Sequence, residues 1–317
     1  MTTTSSAVPR SVDTSQPRLR GGAVRHRTPQ AWLFLTPFVV FYVAFMIGPT
    51  VWMFFASFFH TSTVHSGLGP FAGLDNYLEM FGRADFWSAL WHTLQFTLYT
   101  VPPLVILSFV MAVLTNRVAR GQWFFRLAFF LPFILPSATI SLIWVFVFTP
   151  STGLWSLPAR MVGLEPGAGI LSDPSTAMIG IAIATIWWTI GFNFVLFLAG
   201  LQDIPRELYE AAAVDGATPW QQIVRLTVPL LNRTTGLVIL LQIIASLKIF
   251  DQVYLMTEGG PGISTQVALG LITDTAFTSN RIGAASAASV LLFLIILVIA
   301  IIQQVVSRVG TAREEGS

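Results

Sequence analysis

Six stretches of this chain are each long and apolar enough to cross a lipid bilayer. They lie near 31–59, 88–114, 122–148, 176–200, 233–256 and 282–306. A spanning helix needs about 20 mostly apolar residues. Within hydrocarbon the backbone must satisfy its own hydrogen bonds, so each run is predicted to be helical. Composition agrees: 54% of residues are hydrophobic, 10% are charged, and mean hydropathy is +0.71. Soluble domains carry about a quarter charged residues. The expected fold is an all-α integral membrane protein with six transmembrane helices over 29–308. Residues 1–28, rich in Ser, Thr, Arg and Pro, bury too little to fold alone. They read as a disordered cytoplasmic tail without the apolar core of a signal peptide. Residues 309–317 read as a second, solvated tail.

Arginine placement orients the bundle, because cytoplasmic loops hold the excess of basic residues. With the N-terminus inside, the inner segments carry Arg10, Arg18, Arg20, Arg25, Arg27, Arg117, Arg120, Arg126, Arg206, Arg225, Arg233, Arg308 and Arg313. The outer loops, near 60–87, 149–175 and 257–281, carry only Arg83, Arg160 and Arg281. Both termini are therefore expected in the cytoplasm of a multi-pass cell-membrane protein. The sequence pI of about 9.3 follows from this topology and not from a nucleic-acid surface. The absence of cysteine removes disulfides, thiolate metal sites and cysteine nucleophiles.

Proline marks two spans. Pro102 and Pro103 lie in the second, Pro132 and Pro136 in the third. Each removes a helical hydrogen bond, so kinks are expected, with the freed carbonyls bonded inside the bundle. They serve either packing or a hinge.

The stretch Tyr209–Leu231, "YEAAAVDGATPWQQIVRLTVPLL", interrupts the lipid pattern at the inner face. Pro205 suits a first helical turn. Arg206–Ala213 are mainly helix formers, and Asp215-Gly216 ends that helix with a left-handed cap. Thr218-Pro-Trp-Gln221 has the form of a capping box opening a second helix. The first helix is too polar for the membrane and too short for a domain. Its small Ala211, Ala212 and Ala213 permit close approach by another backbone, which suits docking in a partner's groove.

These residues resemble a known family. "EAAAVDGA" (Glu210–Ala217) followed by "IVRLTVP" (Ile223–Pro229), with "AGLQDIPRELY" (Ala199–Tyr209) before it, is similar to the EAA motif of permease subunits of binding-protein-dependent ABC importers. The resemblance implies that 201–232 is a coupling-helix loop seated in a cleft of a cytoplasmic ATPase, through Glu207, Glu210, Ala211, Ala212, Asp215, Gly216 and Ala217. Ile223 stands where the family often has Phe.

Further segments resemble the carbohydrate branch, the maltose-type permeases: "FAGLDNYLEMF" (Phe71–Phe81), "FFLPFILPSATISLIWVFVFTPSTGLW" (Phe129–Trp155) and "IFDQVYLMTEGGPGISTQ" (Ile249–Gln266). The resemblance covers about 30–305. It departs at His92-Thr93, where an Asn-Thr pair is common. It implies a sugar or sugar-like solute, an extracytoplasmic solute-binding protein, a second permease forming a heterodimer, and two ATPase subunits that use ATP and Mg. Gly259, Gly260 and Pro261 either touch the binding protein or form a plain turn. No G-x-x-x-x-G-K-[ST] occurs, and the only lysine, Lys248, lies in an apolar span. This chain is therefore expected to bind no cofactor and to leave hydrolysis to a partner.

A sugar site needs aromatic faces and hydrogen-bonding groups. The fourth span offers Thr185, Trp188, Thr189, Phe192 and Asn193 on one broad face. The fifth offers Lys248, Asp251 and Gln252, with Gln242 and Ser246 on another. Trp188, Asn193, Gln242, Ser246, Lys248, Asp251 and Gln252 are the candidate solute residues. Thr185 and Thr189 equally serve helix packing, and Lys248 with Asp251 equally forms a private ion pair. His60 and His65 have no third ligand nearby, so no metal site is expected. Three rival readings stand beside the importer. An ion-coupled secondary transporter leaves the Glu-Ala-Ala loop unexplained. A membrane-embedded enzyme lacks a nucleophile–base set. A permease of the same superfamily for glycerol phosphate differs only in solute.

Overall fold

The structure, a computed structural model, describes residues 29–64, 67–117, 121–150, 152–154, 156, 161 and 169–314, with side chains between 34 and 306. The tail at 1–28, His65, Arg120, Arg160 and the last residues lie outside these. The described residues are helical, with one isolated antiparallel bridge, Phe59 to Phe71. The chain divides after Thr50 into two units. The first holds α1, Pro29–Tyr42, and a π-helical stretch, Val43–Ile47. α2, Gly48–Ala56, leads into the second unit, which everything below concerns.

Four helices have the length and apolarity to span: Phe34–Ala56, Ala84–Asn116, Ala177–Gln202 and Ile282–Val306. Two bent pairs, Gln122–Ile134 with Ser137–Phe148 and Pro219–Leu230 with Asn232–Leu247, raise the number to six when each is taken as one span. In chain order the elements are α3 (Asp75–Gly82), α4 (Ala84–Asn116), α5 (Gln122–Ile134), α6 (Ser137–Phe148), α7 (Ala177–Gln202), α8 (Arg206–Val214), α9 (Pro219–Leu230), α10 (Asn232–Leu247), α11 (Asp251–Thr257), α12 (Ala268–Thr273) and α13 (Ile282–Glu314). We call the end of the bundle carrying α8 the inner end and its opposite the outer end.

The third span breaks as its prolines require. α5 and α6 meet at 95°. Pro136 cannot donate to the helix, and it forces Leu135 into an extended conformation, ψ 143°. The orphaned Leu135 carbonyl accepts the Trp188 indole N–H from α7 at 3.1 Å. Pro102 and Pro103 leave α4 continuous over its 33 residues. The fifth span differs from its expected unbroken run. α10 stops at Leu247 and α11 starts at Asp251. Lys248 and Ile249 close the first helix with i→i−3 bonds to Ala245 and Ser246, each 3.2 Å. Polar residues cluster at this break, so the non-helical backbone borders a cavity and avoids lipid.

In lipid, helices are held by packing and hydrogen bonds more than by water exclusion. α4 and α7 form the spine, and three buried clusters lie along them. At the inner end Phe194, Phe197 and Leu198 of α7 pack with Ala112 and Val238. In the outer half Phe96, Phe148, Ile181, Val253 and Val267 join α4, α6, α7 and α11. At the outer end Met80, Phe86, Ala284, Ala285 and Ala288 join α3 to α13. α5 crosses α7 so closely that a Cβ on Gly191 would lie 1.9 Å from the Phe129 carbonyl oxygen.

The outer end is also tied by hydrogen bonds. Asn76 Nδ2 donates to the Ser57 and Phe59 carbonyls at 2.9 and 3.0 Å. Gly283 N–H donates to Thr61 at 3.0 Å. Arg281 grips Glu79 with both guanidinium nitrogens, one at 2.6 Å, across 202 positions of sequence. Hydrogen bonding from Arg281 holds the Glu79 carboxyl below its ordinary range.

Candidate functional site

Two places concentrate polar groups on this apolar frame: a cavity between the breaks of the third and fifth spans, and the loop at the inner end.

The cavity has a volume of about 290 Å³. Trp188 and Thr189 reach it from α7; Gln242 and Ser246 from α10; Lys248 from the break; Asp251 and Gln252 from α11. Phe96 and Thr100 of α4 and Phe250 of the break complete the wall and were not singled out in the sequence. Nothing distinguished them from other aromatic or hydroxyl residues of the spans. Asn193 is not on the wall. It is fully buried, and its Oδ1 accepts Gln242 Nε2 at 2.8 Å. Its own Nδ2 has no partner. Asn193 thus orients the Gln242 amide from behind.

The hydroxyls divide by what they donate to. Thr185 and Thr189 donate to carbonyls of their own helix, Ile181 and Thr185, at 2.9 and 2.8 Å. They bond neither α4 nor α10, which leaves Thr189 oxygen lone pairs toward the cavity. Ser246 Oγ lies 3.0 Å from Thr97 Oγ1 and tethers α10 to α4. Trp188 spends its indole N–H on Leu135 and offers its ring face, tilted against Phe133 at 6.1 Å.

Lys248 and Asp251 do not pair with each other: the ion pairs among the described residues are Arg83–Asp85 and Arg281–Glu79. Asp251 accepts the Ser137 hydroxyl at 3.0 Å, which joins the start of α11 to the start of α6 across the two breaks. Lys248 lines the cavity, is exposed, and takes part in neither of those ion pairs. An intramembrane cation without a fixed counter-ion faces a polar or water-filled space.

At the inner end the sequence folds as its caps dictate. α8 ends where Ala217 N–H returns to the Ala212 carbonyl at 2.9 Å, with Gly216 at φ +82°. Only glycine takes this conformation without strain. Both capping-box bonds are present: Thr218 N–H to Gln221 Oε1 at 2.8 Å and Gln221 N–H to Thr218 Oγ1 at 3.3 Å. Tyr209 OH lies 3.0 Å from Thr227 Oγ1 and fastens α8 to α9. Glu207, Glu210, Ala211, Asp215 and Gly216 are exposed, while Ala212 and Ala217 are half-buried. The loop is rigid inside and bare outside.

At the outer end Gly259, Gly260 and Pro261 form a turn closed from within. Gly259 has φ +86°, Thr265 Oγ1 donates to the Gly260 carbonyl at 2.8 Å, and Thr265 N–H to Gly259 at 3.1 Å. His92 and Thr93 anchor the segment that follows. His92 Nδ1 lies 3.1 Å from the Gln266 carbonyl, and Thr93 Oγ1 accepts the Ala268 N–H at 2.9 Å.

Residues 68–309 match the family described as "Binding-protein-dependent transport system inner membrane component". The chain belongs to this family of ABC-importer permeases. The permease is a multi-pass inner-membrane, non-catalytic translocation subunit. It is 34% identical over 263 residues to the sulfoquinovosyl glycerol transport system permease SmoG of Agrobacterium fabrum, covering 83% of this chain and 85% of that one. It is 31% identical over 277 residues to the trehalose/maltose permease MalF of Thermococcus litoralis, covering 87% and 93%. Its fold matches a chain of a bacterial alginate ABC transporter, solved with an alginate pentasaccharide-bound periplasmic protein, at a TM-score of 0.79 and 23% identity. That match covers 90% of the permease and 96% of the other chain.

Proposed function

We propose that this permease conducts a sugar or sugar-like solute, received from an extracytoplasmic binding protein, through the cavity between the two broken spans. One observation carries the reading. The breaks gather an aromatic face, two amides, hydroxyls and two charged groups around one space in an otherwise apolar bundle. That mixture suits a polyhydroxylated molecule, whose ring faces are apolar and whose edges exchange hydrogen bonds. Relatives named for trehalose/maltose, multiple sugars and arabinooligosaccharides support it.

In this proposal both termini lie in the cytoplasm. The 201–232 loop meets the ATPase through the exposed edge of α8, the Gly259–Pro261 turn faces the binding protein, and a second permease completes the pathway. ATP and Mg act on two ATPase subunits. The test is ATP-driven uptake of labelled oligosaccharides into proteoliposomes holding the assembly and its binding protein. Uptake of none of a broad panel defeats the sugar reading.

Lys248 on the cavity wall, outside any ion pair among the described residues, favours a second reading, in which the solute is anionic. One relative is named for sn-glycerol-3-phosphate. Lys248→Gln then abolishes uptake of the anionic solute, whereas a neutral sugar retains most of its rate.

A further inference from the structure

The segment Phe71–Phe81 belongs to neither the cavity nor the inner loop, yet it builds a distinct surface. One side of α3 is committed. Met80 is fully buried, Asn76 holds the Ser57 and Phe59 carbonyls, and Glu79 holds Arg281. The other side carries Leu74, Leu78 and Phe81, at i, i+4 and i+7, all exposed; Leu78 is 66% exposed.

Arg83 alone separates α3 from α4, and there the apolar surface continues. Trp87, Trp91, Leu94 and Leu98 recur at four, three and four residues along one exposed face of α4. Such spacing is a single helical stripe. The two pieces are fastened together: the Trp87 indole N–H donates to the Phe81 carbonyl at 2.9 Å, and the two rings lie 6.0 Å apart. The lower stripe sits on a helix long and apolar enough to span a bilayer. The exposed side of α3 continues that apolar stripe past the start of the helix.

A helix with one apolar and one polar side, joined to a span and flanked by tryptophan, suits the headgroup boundary. Charge narrows the lipid chemistry. Arg83 is held by Asp85 and Arg281 by Glu79, and Asp75 adds a further carboxylate. Among the described residues, this surface has no arginine or lysine without a carboxylate partner to recruit anionic headgroups.

We propose that α3 is an interfacial helix, seated by Leu74, Leu78 and Phe81 in the leaflet opposite the inner loop. It holds phospholipid irrespective of headgroup charge. The first outer loop is then a membrane-seated clamp on α13, and the binding protein docks elsewhere.

The chain has no cysteine, so each substituted chain takes one label, and the unsubstituted assembly treated alike gives the partners' background to subtract. Leu78→Cys and Val64→Cys are labelled in the assembly co-purified from native membranes through a tag on this chain. Both are placed in phosphatidylcholine nanodiscs. Val64, also exposed and on the same loop but outside the α3–α4 stripe, is the reference position. Position 78 is expected to favour collisions with oxygen over a water-soluble nickel chelate, by several-fold relative to 64. The ratio should persist in phosphatidylglycerol and on adding the binding protein. Equal ratios at 78 and 64 overturn the proposal, as does loss of both collisions once binding protein is present. Low collision with both probes from the outset assigns the surface to the second permease and also overturns it. Phe81→Cys repeats the test if Leu78→Cys fails to assemble.

Discussion

Asn193 and Gln252 are both buried polar residues on membrane helices, and the structure gives them different work. Asn193 has the Gln242 amide as its partner. Removing one member of a buried hydrogen bond strands the other, at a cost of about 1–3 kcal/mol. Asn193→Ala should therefore lower the thermal midpoint of the purified permease and raise KM for uptake, because Gln242 loses its orientation. Gln252 lies on the cavity wall. Gln252→Ala should weaken uptake while the midpoint stays within measurement error; thermal unfolding and uptake on the same preparations decide. The Glu79–Arg281 contact makes a pH prediction. The Glu79 folded-state pKa is depressed, so its stabilisation is fully present above the ordinary glutamate value, about 4.3. It is lost as pH falls below that value through the depressed one. Glu79→Gln should flatten that acid limb and leave stability near neutrality only slightly reduced, since both partners are partly solvated and an exposed pair contributes little. Thermal midpoints between pH 6 and pH 3 check it.

Among the elements, the inner loop and the third span were legible because their signals are local. A capping box, a glycine after a short helix and a Leu-Pro step each act through bonds within a few residues, so Thr218, Gly216 and Pro136 announce their own geometry. The break at Lys248–Phe250 was not legible. It contains neither proline nor glycine, and its cause is the tertiary gathering of polar side chains around a cavity. Asn193 was misplaced for a related reason: helical periodicity names a face, not the neighbour in front of it. Pro102 and Pro103, where kinks were expected, leave α4 one continuous helix. Two substitutions test the elements. Gly216→Val should strain the left-handed turn and misdirect α9 without disturbing the spans. Gly191→Ala should act inside the membrane, since its methyl group meets the α5 backbone. Overpacking of this kind costs about 1–3 kcal/mol, read as a lower yield of folded permease in detergent.

For the whole molecule, the bare outer edge of α8 is where the proposed ATPase contact must stand or fall. Ala211→Trp, on the exposed side of α8, should leave insertion and pairing with the second permease intact and abolish co-purification of the ATPase. Retention of the ATPase with normal transport would defeat the coupling proposal. Another feature of the whole chain concerns its biosynthesis. Glu79 and Arg281 meet across 202 positions. A ribosome adding roughly 5–20 residues per second needs about 10–40 s to cover that interval. Throughout it the first outer loop lacks the helix that will hold it. Nascent chains arrested before Ile282 should then be cut by added protease between α2 and α3. Chains arrested far enough beyond it for α13 to insert should resist. A helix made about 200 residues later is thus the one that closes the first loop, and quality control at the membrane has a late event to read.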